Sequence, residues 1–371
     1  MIEVNPELTE AARVAASFHP AGAILRCRAF GSGNINRTYL VEPEAAPAFL
    51  LQSLNTRVFR APELVSANIR AVLGHLGQRL ASGMPAGVSR WELPHVLPTG
   101  DGVDHVRGED GAWWRAQRFI PGTMTVDLVK DAAVAREVGR GLGAFHALVA
   151  DLPVGDLADT LPGFHVTPGY LARFDAVVAE APDGADDPDV RRCLAIVEAN
   201  RAWAGMLEDA LAAGRLAPRT IHGDPKVNNI LLDSRTGEAV AMIDLDTVKP
   251  GLLHYDLGDC LRSSCNPAGE EPEDLDAVAF DLDLARAVLE GYMAAAGTVL
   301  GPDDLELIPG SARLLPFELG LRFLTDHLEG DTYFRVGHRG QNLRRAMVQF
   351  RLAEQAAARH DTLAGIVRSL A

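Results

Sequence analysis

The chain has 371 residues, 47% of them hydrophobic, and a formal charge of −15. That length suggests two or three domains at about 100–200 residues each, and the hydrophobic share excludes global disorder. The acidic balance argues against a general nucleic-acid binder, which would carry a basic stripe, and against docking on anionic membranes. It leaves room for an anionic ligand held by local dipoles.

The opening segment, MIEVNPELTE, is acidic and lacks a basic stretch followed by an apolar run, so no leader peptide is expected. Residues 6–18 read as a short helix. From Ile24 the pattern changes: 24–30, a glycine-containing turn and 37–41 form a predicted hairpin. Residues 49–54 are a third apolar run of strand length. A helix follows Pro62, with Leu64, Ile69, Val72 and Leu76 at near-helical spacing. Residues 93–97 and 112–120 are two further predicted strands, and Pro121–Gly122 breaks the chain. Beyond it the pattern is mainly helical, with predicted helices over 132–148, 190–211, 279–295, 314–328 and 342–370. The polar stretches 181–189 and 266–274 read as exposed loops. The expectation is an α+β fold of two unequal lobes, residues 1–120 and 121–371.

No apolar stretch reaches the roughly 18–20 residues of a membrane span. Cys27, Cys193, Cys260 and Cys265 form no CxxC pair and no zinc spacing, which fits free thiols in a reducing compartment. The expected location is the cytoplasm.

The chemistry is concentrated in IHGDPKVNNILLDSRTGEAVAMIDLDTVKPG, residues 221–251. Asp224 is followed by Asn229, then by two short apolar runs joined by a turn, and the second run delivers Asp244 and Asp246. This order of loop, strand, turn and strand puts Asp224, Asn229 and Asp244 within reach of one another. Taken singly, each would serve as a turn or helix cap. Together they match what phosphoryl transfer needs, which is positioning and neutralisation of charge. Asp224 suits a carboxylate that orients an acceptor hydroxyl and takes its proton. Asn229 and Asp244 suit hard oxygen ligands for magnesium.

This segment resembles the core of the aminoglycoside phosphotransferase and choline kinase superfamily, distant relatives of protein kinases. The resemblance implies a two-lobed protein-kinase-like fold, with a small antiparallel-sheet N-lobe and a larger helical C-lobe. It also implies ATP and Mg2+ as cofactors, Asp224 as catalytic aspartate, Asn229 and Asp244 as metal ligands, and Asp246 as a second, weaker metal contact. His222 reads as a structural residue of the loop. The run Phe30-Gly31-Ser32-Gly33-Asn34-Ile35-Asn36 resembles the nucleotide loop of these kinases, since glycines between strands let backbone amides approach phosphates. Gly31, Ser32, Gly33 and Asn34 are its expected contacts. Arg118, Phe119 and Ile120 are the expected hinge against adenine.

Protein kinases place a lysine on the third strand to hold the nucleotide phosphates. The lysines here are Lys130, Lys226 and Lys249, none in the first lobe. Gln52 stands at the third-strand position, with Asn68 where its acidic partner is expected. Either an amide pair replaces the ion pair, or Arg57 or Arg37 supplies the cation.

LLQSLNTRVFRAP, HYDLGDCLRSSCN, RFLTDHLEGDTYF and QNLRRAMVQF resemble the N-acetylhexosamine 1-kinase-like group, which phosphorylates amino sugars at the anomeric hydroxyl. A sugar site needs planar polar groups and often an aromatic platform. Asp256, Asp259 and Arg262 follow the metal site closely. Arg322, Asp326 and His327 sit together on a predicted helix, and Tyr255 or Tyr333 would be the platform. The small-molecule partner is therefore read as a sugar. Two other readings stand beside it: a kinase for a cationic acceptor such as an aminoglycoside, choline or homoserine, and a non-catalytic nucleotide-binding module.

Overall fold

Alternating apolar residues in the first third of the chain make strands, and the strands pair into one antiparallel sheet. The computed structural model describes residues 6–18, 23–31, 35–109, 111–180 and 187–371. Helix α1 (Pro6–Phe18) precedes β1 (Ile24–Ala29), β2 (Arg37–Pro43), β3 (Phe49–Leu54), α2 (Pro62–Ser82), β4 (Val96–Leu97), β5 (Val106–Arg107) and β6 (Trp113–Arg118). The sheet order is β1-β2-β3-β6-β4, with β5 also on β6. Because side chains alternate between faces, Tyr39, Val41, Leu51, Trp114 and Ala116 share one face. They bury against Ala11, Val14 and Ala15 of α1. Fully burying side chains of this size stabilises by about 1.5–3 kcal/mol each. The opposite face carries Thr38, Gln52 and Arg115 in one register row. Helix α2 opens with Pro62 and Glu63 in its first turn and buries Val65, Ile69, Val72 and Leu76.

The second lobe starts with β7 (Thr123–Met124) and α3 (Ala132–Val149), whose Asp131 cap accepts from Ala133 and Val134 N–H at 2.7 and 3.1 Å. Then come α4 (Thr167–Glu180), α5 (Pro188–Asn200), α6 (Met206–Ala212), β8 (Arg219–Ile221), β9 (Ile230–Asp233), β10 (Ala239–Met242) and β11 (Lys249–Gly251). Helices α7 (Leu253–Ser264), α8 (Leu282–Ala296), α9 (Pro302–Leu328), α10 (Gln341–Ala358) and α11 (His360–Leu370) complete it. Strands β9 and β10 form a hairpin that β7 extends, and β11 pairs with β8. Helices α3 and α8 meet backbone to backbone: a Cβ on Gly139 would overlap the Val288 carbonyl, and one on Gly291 the Arg136 carbonyl. The result is the α+β, two-lobed, protein-kinase-like fold.

Four predicted spans are redrawn. The expected 190–211 helix is α5 and α6, separated at 201–205 by a turn with Gly205 at the second helix's start. The 342–370 helix is broken at Arg359 between α10 and α11. Helix α9 begins twelve residues earlier than the pattern predicts and carries Pro309 and Pro316 in its interior. Of the strand predicted over 93–97, only Val96–Leu97 pairs. The short strands β5, β7, β8 and β11 and helix α4 went unpredicted. Among the described residues no helix is long and apolar enough to cross a membrane.

Candidate active site

The segment joining β8 to β9 turns back on itself at Gly223, where φ is +85° and a Cβ would lie 2.6 Å from the Thr247 carbonyl oxygen. Only glycine tolerates both conditions. The loop is held from behind by Asp256 of α7, whose carboxylate is fully buried. It accepts from His222 N–H at 2.7 Å, Gly223 N–H at 2.8 Å and the His146 ring at 2.9 Å. Burial works against its charge, but the His146 hydrogen bond, neighbouring imidazoles and backbone amides hold it below the usual carboxylate range. Asp256 thus has no oxygen left for a ligand. The sequence left Asp256 open between a substrate pocket and loop architecture; its contacts here are those of a loop anchor.

His222 is buried too. Its Nε2–H donates to the Ile243 carbonyl at 2.9 Å and its Nδ1 accepts from Asp224 N–H at 3.3 Å. Burial pushes its pKa down. A neutral ring with both nitrogens engaged is the structural role expected of it.

Asp224 reaches the cleft with its side chain 30% exposed. Lys226 Nζ donates to its Oδ2 at 2.8 Å, and Asn229 Nδ2 donates to its carbonyl at 2.7 Å and its Oδ2 at 3.3 Å. Among the described residues these contacts all avoid Oδ1, leaving that atom for an incoming hydroxyl. Asn229 in turn keeps its Oδ1 for a cation. Its carbonyl accepts from Ile243 N–H at 2.9 Å, tying the loop to the end of the hairpin. Asp224, Asn229 and the start of the Asp244 turn are therefore brought together as the spacing predicted. Lys226 is a member the sequence reading passed over, although it stands two residues after Asp224. Its pKa is held above the ordinary value by Asp224 first, and by Asp244 and Asp259 against the opposing effect of burial.

Asp244 has φ +63°, a left-handed conformation uncommon outside glycine. Such geometry persists where the surroundings over-determine it. Here it caps the short turn Leu245–Thr247, and Thr247 Oγ1 donates to the His222 carbonyl at 2.8 Å. The Asp244 carboxyl is pushed up to about 7, by burial first and by the Asp246 carboxylate next, with Lys226 and Arg115 opposing. A carboxylate crowded in this way is stabilised by a bound cation. Among the described residues no three His, Cys, Asp or Glu side chains form a cage of their own.

Asp246 is only 2% exposed and is engaged from the other lobe. Arg115 of β6 is ion-paired with it, and Asn36 Nδ2 donates to its Oδ2 at 2.6 Å. Oδ1 faces the Arg115 guanidinium in the ion pair but accepts no hydrogen bond among the described residues, so one oxygen of Asp246 is not taken up by a hydrogen bond from the protein. Gln52 does stand on the cleft face of β3, but it does not pair with Asn68. Asn68 instead donates to the Val248 and Ala158 carbonyls at 2.9 and 2.8 Å. The Gln52 oxygen accepts from Arg115 Nε and Nη2 at 3.1 and 2.8 Å.

Gly31 closes β1 with φ +78°; Ser32, Gly33 and Asn34 lie outside the described residues. Between the lobes, Arg118 is exposed, Phe119 meets Phe30 edge-on at 5.9 Å, and Ile120 packs with Leu231, Val240 and Ala241. Ser234 N–H donates to the Gly122 carbonyl at 3.0 Å, so the chain is fixed to the second lobe from there on.

The remaining candidates divide. Asp259 is bound by Arg262 Nε at 2.7 Å, Arg262 also reaches Glu270 at 2.8 Å, and Asp259 Oδ2 is buried with no hydrogen-bond partner among the described residues. Tyr255 is buried with its hydroxyl on Glu208 at 2.8 Å and its ring against His165, so it supports the site and cannot be a platform. His165, at φ +66°, joins the Gly223 carbonyl and Glu318 at 2.8 and 2.9 Å; no motif singled it out. Arg322 lies 5.1–5.5 Å from the ring centroids of Phe164, Tyr170 and Phe334. Asp326 is also spent internally: it accepts from the N–H groups of Thr332, Tyr333 and Phe334 at 2.7–2.9 Å and from Asn342 at 2.9 Å. It shapes that loop and has no oxygen free for substrate.

A model of the APH phosphotransferase enzyme family matches residues 26–297. Among solved structures, an aminoglycoside phosphotransferase from Alicyclobacillus acidocaldarius has TM-score 0.65 at 15% identity, covering 100% of this chain and 98% of its own. A microcompartment-associated aminopropanol kinase gives 0.59 at 17%, with 96% and 98% covered. An amicoumacin kinase in complex with AMP-PNP and Ca2+ gives 0.56 at 14%, with 89% and 88% covered.

Proposed function

Because the chain belongs to the APH phosphotransferase enzyme family and is a small-molecule kinase, we propose that it transfers the terminal phosphoryl group of ATP to the anomeric hydroxyl of an N-acetylhexosamine or a related sugar, between lobes 1–120 and 121–371. The observation that carries the phosphotransfer reading is the convergence of Asp224, Asn229 and Asp244 on one loop and one hairpin end. Asp224 Oδ1 accepts the acceptor hydroxyl's hydrogen and aims its oxygen at the phosphorus, while Lys226 and Asn229 fix the carboxylate's rotation. Asn229 Oδ1 and the Asp244 carboxylate would hold magnesium, whose charge would neutralise the phosphate oxygens. Nucleotide contacts are assigned to the glycine motif that includes Gly31 and to the 118–120 segment.

Support for a neutral polyol comes from Arg322. A guanidinium set among three aromatic rings, next to the His165 contact with Gly223, disfavours an ammonium nearby and suits hydroxyl recognition beside an aromatic face. Of the two platform candidates, Tyr255 is bound to Glu208 and Tyr333 is 48% exposed, which favours Tyr333. The cationic reading draws support from the unpartnered Asp259 Oδ2, which would accept an ammonium as readily as a hydroxyl, and from the amino-bearing acceptors named for the aminopropanol kinase and aminoglycoside phosphotransferase. Comparing kcat/KM for N-acetylhexosamines, plain hexoses, choline, homoserine and aminoglycosides decides between them. A site built to hydrogen-bond a given hydroxyl rejects analogues lacking it by as much as about 10⁴–10⁵. A cationic acceptor ahead by orders of magnitude overturns the sugar assignment, and no ADP release with any acceptor overturns phosphotransfer.

A further inference from the structure

The first lobe lacks a lysine, yet a nucleotide's phosphates need a cation from it. We infer that Arg115, on the strand beside β3, is the phosphate-binding cation of the first lobe. This inference rests on the phosphotransfer reading.

Arg115 faces Gln52 directly across the β3–β6 pair, so the cation stands one strand over, about 4.8 Å sideways. An arginine is long enough to cover that offset. Its guanidinium is 1% exposed and oriented by two hydrogen bonds to Gln52 Oε1, while Gln52 Nε2 donates to Thr38 Oγ1 at 3.2 Å. Gln52 is then a positioning residue for a cation carried by its neighbour. The same Nη2 that donates to Gln52 also contacts Asp246, two residues from the candidate metal ligand Asp244. Nη1 is buried and has no acceptor among the described residues. An unpaired charged donor is costly inside a protein, and a phosphate oxygen between the sheet and the metal would satisfy it. With Nε and Nη2 engaged by Gln52 and Asp246, Nη1 is the donor left for a single charge-assisted hydrogen bond to a phosphate oxygen.

The cations that the sequence analysis offered, and the two lysines nearest the site, are placed elsewhere. Arg37 shares the opposite face of the sheet with Ser53 and Trp114, and Arg57 is exposed. Lys249 is committed to the Leu161 carbonyl and Asp159, and Lys226 to Asp224.

The test measures binding of adenosine, AMP, ADP and ATP by calorimetry with magnesium, for wild type, Arg115→Gln, and the exchange variant Gln52→Lys/Arg115→Gln. The inference expects wild-type affinity to rise with phosphate number. In Arg115→Gln the gain from the second and third phosphates should fall at least about tenfold while adenosine stays within about twofold. The exchange variant, with the cation moved onto β3, should recover most of the gain. Equal weakening of adenosine and ATP, or no weakening, overturns it. Should Arg115→Gln not fold, 15N-arginine spectra of the wild type decide. The Arg115 Nε–H resonance, assigned by its loss in Arg115→Lys, moves with ADP and not with adenosine if the inference holds; an unmoved resonance overturns it. A wild type that binds ATP no better than adenosine refutes the phosphotransfer reading, a different outcome from a wild type that discriminates and a variant that still does.

Discussion

Asp256→Asn isolates what holds the Asp224 loop in place. The wild-type carboxylate receives two backbone N–H groups and one imidazole inside the protein. Asparagine retains one acceptor oxygen and turns an N–H2 group toward a donor. At least one buried backbone N–H then loses its partner, at about 1–3 kcal/mol, and the remaining bonds lose their charge assistance, roughly half their strength. The expected destabilisation is about 2–4 kcal/mol. The pH dependence has a definite sign. The folded carboxyl titrates below its ordinary 3.8, so the unfolded chain takes the proton first on acidification. The stabilisation is complete above about pH 4 and is lost as pH falls through the depressed folded value, so the gap between wild type and variant narrows there. Urea unfolding midpoints across pH, with kcat and acceptor KM, are the assay. A loop displaced by even 1 Å can cost about 10² in rate, so kcat and stability should fall together with acceptor KM nearly unchanged. An unchanged unfolding midpoint with a raised acceptor KM would refute the anchoring argument and return Asp256 to the substrate pocket.

Asp224→Asn should lower turnover about 10²–10⁴-fold and leave nucleotide affinity intact; near wild-type turnover removes Asp224 from the chemistry. Magnesium-nucleotide binding should release a proton at about pH 6 and none at about pH 8.5, because a metal ligand must give up its proton first and the Asp244 carboxyl is pushed up to about 7. Calorimetry in buffers of different ionisation enthalpy reads this directly, and proton release that persists unaltered in Asp244→Asn excludes Asp244 as its source.

The order of a sheet-rich first region and a helical second region was legible because strand and helix periods differ. Residues 221–251 were legible because the chemistry needs polar groups at fixed spacing on a loop and a hairpin, and local structure sets that spacing. What stayed hidden depends on long-range packing. An aspartate that anchors a loop and an aspartate that meets a substrate look alike in sequence, so the sequence leaves Asp256 and Asp326 between pocket and structural roles. Strand register decided Arg115: the alternation Trp113-Trp114-Arg115-Ala116 places it on the face away from α1, but only pairing with β3 shows it opposite Gln52. Asn68 was placed by its helix position, and tertiary contacts to Ala158 and Val248 claimed it.

Two carboxylates hold two different parts of this molecule. Asp256, backed by His146 and Tyr292, carries the loop with Asp224. Asp326, backed by Asn342, carries the loop with Tyr333 and Phe334. The two share no hydrogen bond. Substitutions along 332–334 therefore act on a loop held by a different carboxylate from the one that holds the Asp224 loop. Selection, natural or in the laboratory, has an independent handle on which molecule is accepted. A scaffold arranged this way can change clients through a handful of substitutions without first losing its chemistry, and diversity of acceptors across one fold is the expected outcome of that separation.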